Sequence, residues 1–149
     1  MALRNVVKVG DPILKKKSRP VEKFDDRLAV LIDDMFDTMY NAEGVGLAAV
    51  QVGMLRRVVV IDVGDGPIEL VNPEITKSEG EQRVQEGCLS LPGQYGVCVR
   101  PEKVQVKGQD RTGKWHVYTG EGLKARCFCH ELDHLEGILF TDKTIKENV

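Results

Sequence analysis

The sequence predicts an α+β fold, a single domain in which antiparallel strands pack around a central helix, and three observations lead to this prediction. An amphipathic helical pattern stands near the start of the chain, short β-branched runs fill the middle, and a second helical pattern stands near the end. The 149 residues suit one domain, and no repeat or linker divides them. We therefore expect residues 1–149 to share one core.

The first helix is predicted over residues 21–41. Its apolar residues recur at spacings of three and four, which places them on one face: Leu28, Leu31, Ile32, Met35, Phe36 and Met39. Asp25 and Asp26 are suited to cap its start, because a carboxylate accepts hydrogen bonds from the free N–H groups of a first turn. We expect this helix to pack on the core through its apolar face.

β-Branched runs in the middle of the chain predict two pairs of strands. Residues 56–63 and 67–73 are separated by a glycine-containing turn, which suits two paired strands. Residues 97–107 and 114–119 flank the Asp-Arg-Thr-Gly sequence at 110–113. Because Asp and Gly favour tight turns, this second pair predicts a hairpin.

The second helix is predicted over residues 123–136, which end before Gly137, a residue suited to the left-handed position after a helix. Within it, His130 and His134 are four residues apart, so their β-carbons lie roughly 5–6 Å apart on one face and both imidazoles can reach one ion. Glu131 is one step around the helix, where it can handle the proton of an attacking water without coordinating the ion. The pattern predicts a central metal-binding helix.

A catalytic metal site of this kind needs a third protein ligand and an open position for water. The metzincin pattern would place a histidine at position 140, where the chain has Phe140, and the acids after His134 stand too near the end to supply a thermolysin-like glutamate. The third ligand is therefore expected upstream of His130. The candidates there are Cys88, Cys98, His116 and Cys127.

Cys88 is the best placed of these, because Gly87 and Gly93 predict an irregular segment that can bring a side chain up to the metal. Cys127 stays an alternative, since it stands three residues before His130 and shares its helix face. A structural role in the predicted hairpin is expected for the other two, Cys98 and His116.

Composition and charge exclude several functional classes. The start of the chain lacks a secretion signal, and no apolar run reaches membrane-spanning length. The formal net charge of −2 provides no field to attract nucleic acid. We expect a cytoplasmic protein with reduced cysteines, no membrane association and no direct nucleic-acid readout.

The segment Gly-Val-Gly-Leu-Ala-Ala-Val-Gln at 44–51 is the other unusual stretch. Its small residues let the backbone approach a ligand closely, and Gln51 adds an amide that can donate to a developing oxyanion. The alternative is a glycine that ends the first helix, followed by a tightly packed strand.

Three segments in this order resemble the peptide deformylase family: GVGLAAVQ at 44–51, EGCLS at 86–90 and HELDH at 130–134. The resemblance runs from about Gly10 through Phe140 and implies the family's α+β fold in one catalytic domain, 1–149. It implies that the metal ligands are Cys88, His130 and His134. It further implies that Glu131 is the general base and acid, and that the Gln51 side chain and the Leu89 backbone N–H hold the oxyanion.

The implied reaction removes the formyl group from the formyl-methionine of newly made polypeptides and releases formate. The family uses Fe(II) as its native ion, while Zn(II), Co(II) and Ni(II) suit the same donors. The nascent polypeptide is the expected partner, and we expect it to contact these residues: Gly44, Val45, Gly46, Glu86, Gly87 and Cys127.

Two departures from the family pattern affect these expectations. The third motif usually has Gln before its first histidine, whereas this chain has Cys129, whose side chain we expect to point away from the metal. The tail at 141–149 is too short for the basic helix with which many members dock on the ribosome, so contact by that route is not expected, while the ribosome stays an open candidate as a partner. Asp133, inside the motif, is expected to anchor the helix by pairing with Arg100.

Two rival hypotheses remain open at this point. One is another type of metallopeptidase, which would cut unformylated peptides. The other is a structural zinc protein in which Cys127 or Cys129 closes a four-ligand site, so that the metal binds without hydrolysis.

Overall fold

The computed structural model describes residues 2–145 and confirms the predicted α+β fold. It contains two helices, α1 (Asp26–Asn41) and α2 (Leu123–Leu135). Its strands are β1 (Gly46–Ala48), β2 (Val58–Ile61), β3 (Ile68–Glu79), β4 (Gln82–Cys88), β5 (Leu91–Arg100), β6 (Lys103–Gln109) and β7 (Trp115–Glu121). Short 3-10 turns occupy Pro12–Lys15, Ala49–Val52 and Phe140–Asp142.

All strand pairs are antiparallel, as predicted. The larger sheet has five strands in the order β1-β2-β3-β6-β7, and β4 and β5 form a separate two-stranded sheet. Helix α2 contacts β1, β2, β5, β6 and β7, so it lies between the two sheets. The expectation of strands packed around a central helix is therefore confirmed.

The two helices pack on opposite faces of the larger sheet. In β2, Val58 and Val60 join the core cluster that contains α1, while Val59 and Ile61 join the cluster that contains α2. Because successive side chains of a strand point to opposite faces, an uninterrupted apolar run is what a strand covered on both sides requires. Strand β1 lies beside β2 at the edge of this sheet and contacts α2 directly.

Helix α1 begins five residues later than predicted, at Asp26. The carboxylate of Asp25 caps it by accepting a hydrogen bond from the Leu28 N–H at 3.1 Å. Val21 is outside the helix because the Asn72 side chain bonds both its N–H and its C=O, at 2.8 and 2.9 Å. These two bonds hold the backbone of Val21 against β3 instead.

The prediction of one strand over residues 97–107 is wrong. The chain breaks at Pro101, and the residues before it form β5, which pairs with β4, while those after it begin at Lys103 of β6. Proline lacks the N–H that a continuous ladder needs. The β6–β7 hairpin and its turn at 110–113 are confirmed, and His116 lies in it, whereas Cys98 lies in β5.

The segment that contains Cys88 is also more regular than predicted. It forms the tip of the β4–β5 hairpin, with Cys88 opposite Leu91, and only Leu89 and Ser90 form the turn. Gly93 therefore lies inside a strand. Its φ of +77° is a conformation that glycine adopts without a steric penalty. Gly93, which predicted an irregular segment, thus marks a distorted strand.

Helix α2 ends as predicted, with Gly137 at a φ of +75°. After it, the chain returns to the smaller sheet, where the Ile145 N–H donates to the Val97 C=O at 2.9 Å. Residues 146–149, on which the expectation of a short tail partly rests, lie outside the described residues. Neither helix in the described chain has the length and hydropathy needed to cross a bilayer.

Candidate active site

Helix α2 and the β4–β5 hairpin bring one thiol and two imidazoles together. The rings of His130 and His134 have centroids 4.9 Å apart and meet edge to face. Cys88, at the end of β4, places its Sγ 3.3 Å from the His134 Nε2. One donor atom from each of the three residues lies within 4.8 Å of the others, so a single ion can contact all three.

The other candidate donors lie elsewhere. Cys127 donates its thiol to the Val45 C=O at 3.4 Å, and burial raises its pKa well above the ordinary value. Cys98 donates to the Phe140 C=O at 3.5 Å, and His116 is bonded to Asp110 at 2.7 Å. Between residues 2 and 145, Cys88 is thus the upstream candidate that meets the histidines.

The protonation and hydrogen bonding of the imidazoles fit a divalent transition metal. Burial lowers the pKa of His134 to about 3, so its ring is neutral and offers a lone pair. Its Nδ1 is buried and has no hydrogen-bond partner in the described structure. Burial also disfavours the charged form of His130, but the Glu131 charge and hydrogen bonds with Cys88 and Glu86 outweigh it and raise its pKa to about 10. A metal would displace that proton.

His130 is oriented by a buried charge network. Its Nδ1 lies 3.0 Å from the Glu86 Oε1, and the Arg100 Nε donates to the Glu86 Oε2 at 2.8 Å. Burial raises the Glu86 pKa, but the bonds from His130 and Arg100 outweigh burial and lower it to about 2. The predicted pair between Arg100 and Asp133 is confirmed, with a separation of 2.6 Å. A carboxylate behind a metal-binding histidine fixes its ring and tautomer.

Glu131 is buried beside the donor cluster. Its Oε1 has no hydrogen-bond partner among the residues described, and burial raises its pKa to about 7. The backbone of β1 passes very close to it, because a β-carbon added at Gly46 would lie 2.5 Å from the Glu131 Oε2 and 2.8 Å from the Cys127 Sγ. A side chain at position 46 would therefore crowd Glu131 and Cys127, and glycine avoids this.

Gln51 and Leu89 lie on two sides of Cys88. The Gln51 carboxamide is buried in the 3-10 turn, where its Oε1 accepts from the Ala48 N–H at 2.9 Å. Its Nε2 then faces the donor cluster, at 3.1 Å from the Ser90 Oγ and 3.5 Å from the Cys88 Sγ. Leu89 follows Cys88 in the hairpin turn. Amide donors from two separate segments thus converge near one thiol.

A cavity of about 370 Å³ opens over this constellation. Among its lining residues are all those expected to contact substrate: Gly44, Val45, Gly46, Glu86, Gly87 and Cys127. The Glu86 carboxylate is engaged by Arg100 and His130, which leaves its backbone for a ligand. Five lining residues belong to none of the predicted contacts: Glu43, Gln85, Tyr95, Leu123 and Arg126.

Cys129 packs in the core cluster between α2 and the larger sheet and, as expected, lies away from the cavity. Burial raises its pKa to about 11. Neither Cys127 nor Cys129 is part of the three-donor group in residues 2–145, so the described chain would offer an ion at this group three protein ligands. Such a site leaves a coordination position for water, whereas structural zinc sites have four protein ligands.

Comparison with known proteins gives one consistent result. A sequence profile described as polypeptide deformylase matches residues 3–149. The peptide deformylase of Alkaliphilus metalliredigens is 58% identical over 147 residues, which cover 99% of this chain and 100% of that protein. The enzyme of Caldicellulosiruptor bescii is 60% identical, over 98% of this chain and 88% of its own.

Solved structures agree with the sequence relatives. A peptide deformylase from Thermotoga maritima superposes with a TM-score of 0.95 at 41% identity, covering 98% of this chain and 100% of its own. One from Legionella pneumophila gives 0.94 at 52% identity, covering 97% and 87%. The profile match over nearly the whole chain and these full-length relatives lead to one conclusion: the chain belongs to the polypeptide deformylase family.

Proposed function

We propose that Cys88, His130 and His134 hold one divalent metal ion and that Glu131 is the acid and base of the reaction at that ion. The convergence of one thiol and two imidazoles within 4.8 Å of one another, beside a buried carboxylate, carries this proposal. Members of the polypeptide deformylase family are enzymes that remove the N-formyl group from nascent peptides. This chain is such an enzyme, and the proposal assigns the reaction to named residues.

The donor set supports a borderline-soft divalent ion, and we propose Fe(II), with Zn(II), Co(II) and Ni(II) as ions that the same ligands accept. When bound, the ion lowers the pKa of a water molecule and polarises the formyl carbonyl. The hydrogen bond that the His130 Nδ1–H donates to Glu86 supports His130 in this role, because it fixes the tautomer whose Nε2 is free to bind. His134 supplies its Nε2, which already faces Cys88.

Glu131 moves the proton. Water adds to the formyl carbon, the bond between that carbon and the methionine nitrogen breaks, and formate and a free amine are released. The carboxylate of Glu131 accepts the proton of the attacking water and returns it to the departing nitrogen. Burial raises the pKa of the Glu131 carboxyl above its ordinary value, which favours the return of the proton.

Gln51 and Leu89 stabilise the charge that develops on the formyl oxygen. We propose that the Gln51 Nε2 and the backbone N–H of Leu89 both donate to it. The support is that Ala48 holds the Gln51 Oε1, which directs the Nε2 toward Cys88. Donors that are positioned before the reaction need no reorganisation when the charge appears.

We propose that the substrate backbone adds to the free edge of β1. Strand β1 is the edge of its sheet, and both Val45 and Gly46 line the cavity. The methionine side chain would enter the apolar part of the cavity near Leu123 and Cys127. Little room would then remain beyond the formyl hydrogen, so we expect larger acyl groups to be poor substrates.

The test is formate release from formyl-Met-Ala-Ser by protein loaded with Fe(II) under anaerobic conditions. Acetyl-Met-Ala-Ser and formyl-Gly-Ala-Ser are the matched substrates. We expect kcat/KM to be at least about a hundredfold lower for the acetyl peptide, because a misplacement of about 1 Å costs this much, and the formyl-Gly peptide to be poor. Equal rates for formyl and acetyl peptides would contradict the tight site, and cleavage of internal bonds in an unformylated peptide would favour a general metallopeptidase.

The cellular context follows from this reaction. We propose that residues 1–149 act as one catalytic domain in the cytoplasm, where nascent formyl-methionine polypeptides emerge.

A further inference from the structure

Residues 2–9 form an N-terminal arm that connects α1 to the candidate active site. The arm begins against α1, where Arg4 forms an ion pair with Asp34 at 2.9 Å and donates its backbone N–H to the Thr38 Oγ1 at 3.0 Å. It then crosses to the side of the molecule that holds the three-donor group. None of the three motifs includes it.

The far end of the arm is bonded to two of those motifs at once. The Val7 N–H donates to the backbone C=O of Gln51 at 2.7 Å, and the Val9 N–H donates to the backbone C=O of Ser90 at 2.7 Å. Between them, the Lys8 Nζ donates to the Leu89 C=O at 3.3 Å. Three consecutive residues of the arm therefore form hydrogen bonds with the two segments that supply the proposed oxyanion donors.

These two segments need such a connection because they belong to different sheets. Gln51 follows β1 of the larger sheet, while Leu89 and Ser90 form the turn of the smaller sheet. Two side-chain bonds join Gln51 directly to this hairpin, from its Nε2 to the Ser90 Oγ and to the Cys88 Sγ. The two hydrogens of this Nε2 cannot serve both of these acceptors and the oxyanion at once, whereas the backbone bonds of the arm use no part of that amide.

The side chain of Val7 adds a contact on the same side. It packs against the core cluster of Leu91, Cys98 and Phe140, against which Cys88 also packs. The arm thus touches the first oxyanion segment, the second oxyanion segment and the apolar surroundings of Cys88.

We propose that the N-terminal arm is a positioning element for catalysis: the N–H groups of Val7 and Val9 hold the backbones of Gln51 and Ser90, and Ser90 in turn fixes the adjoining Leu89 relative to Gln51. Both donors then point to the place where the oxyanion forms. The inference rests on the proposed oxyanion roles. Since displacements of about 1 Å in such a site reduce the rate on the order of a hundredfold, loss of one arm bond should reduce kcat more than it affects substrate binding.

The test removes each N–H while keeping an apolar side chain. Val7→Pro and Val9→Pro delete the two donors, because proline has no N–H. Val7→Ala is the matched control, since it keeps the donor and removes only packing. Arg4→Gln is a second control, because it weakens the attachment of the arm to α1 without touching the active-site end.

We expect both proline variants to lower kcat about tenfold, with KM within about twofold and metal content unchanged. Val7→Ala should lower kcat less than Val7→Pro does, and Arg4→Gln should keep kcat within about twofold even where its Tm falls. In metal-free protein, Val9→Pro should accelerate hydrogen exchange at the Leu89 amide about tenfold, a measurement that does not depend on activity. Proline variants that keep the parental kcat and Leu89 exchange rate while losing Tm would overturn the proposal.

If a proline variant fails to fold, the Lys8 side chain provides the decisive comparison. Lys8→Met should lower kcat about threefold, Lys8→Arg should restore it, and Lys16→Met, at another exposed lysine, should have no effect. Equal kcat for Lys8→Met and Lys16→Met would contradict the inference. A parental protein that releases no formate would instead contradict the proposed assignment of the reaction, so the two failures are distinguishable.

Discussion

Helices α1 and α2 lie on opposite faces of the same sheet, but their buried polar groups differ in how completely they are hydrogen-bonded. The buried polar residues of α1, Asp34 and Thr38, are both hydrogen-bonded to the N-terminal arm. The buried polar residues of α2, Glu131 and His134, each keep one atom without a partner in residues 2–145. Such an unsatisfied buried atom costs about 1–3 kcal/mol. In Glu131 it belongs to a carboxyl that lines the cavity beside the three-donor group, where a reacting group is expected.

This difference separates stability from function within one core. Helix α1 contributes mainly apolar area, through residues such as Met35 and Met39, which are fully buried. Helix α2 packs in the same way through Phe128 and Leu135, but it also buries Glu131 and His134, polar groups whose burial costs free energy. We therefore expect substitutions in α1 to change the free energy of unfolding and leave kcat unchanged. Substitutions at the polar residues of α2 should change kcat and leave the free energy of unfolding nearly unchanged.

The largest effect is expected for Glu131→Gln, which should reduce kcat by about two to four orders of magnitude, because an amide cannot take up and return a proton. Steady-state kinetics at full metal loading measures it. Asp37→Asn in α1 is the matched control, since Asp37 is a half-buried carboxylate that also has one unpartnered oxygen. Its kcat should equal that of the parent. Equal rates for both variants would remove the functional difference between the helices.

The next effect is on metal content. Cys88→Ala should lose most of the bound metal, because it deletes the thiol of the three-donor group. Cys127→Ala should keep the metal, since that thiol donates to the Val45 C=O instead. Metal analysis of both purified proteins distinguishes them. Parental metal content in the Cys88 variant would contradict the ligand assignment.

On the other face of the sheet, Met35→Ala should lower the free energy of unfolding by about 2–5 kcal/mol, because it leaves a cavity in the α1 core. The kcat of the folded variant should stay parental. Val30→Ala, at a side chain that is 54% exposed on the same helix, is the control and should cost little. A loss of kcat in folded Met35→Ala protein would mean that the two faces are coupled.

The smallest effect is expected where β1 meets α2. Gly46→Ala places a β-carbon against the Glu131 Oε2 and the Cys127 Sγ, so we expect a stability loss of about 1–3 kcal/mol from overpacking. Displacement of Glu131 should also lower kcat about tenfold. Denaturant unfolding and kinetics on the same preparation test both. Gly53→Ala, in the next turn with open space around it, would lose stability through its φ of +82° but keep kcat.

How much could be predicted from sequence differs between local and distant features. The His130 and His134 spacing, the cap at Asp25 and the turn at 110–113 follow from residues a few positions apart, and the structure contains all three. The β4–β5 hairpin was missed, because Leu89 and Ser90 give no strong turn signal and the neighbouring glycines indicate irregular structure. The break between β5 and β6 was missed because β-branched residues stand on both sides of Pro101, so the pattern indicates one continuous strand.

The sequence by itself determined the two helices, the strand-rich middle and the presence of a metal-type motif, because periodicity and turn chemistry act over a few residues. The tertiary structure decided which thiol meets the histidines, since Cys88 and His134 are 46 positions apart, and Cys127 stands on the same helix yet bonds to Val45. It also decided that Glu86 supports His130, 44 positions away. Such pairs depend on how two sheets and a helix pack, and no local pattern records a contact across that distance.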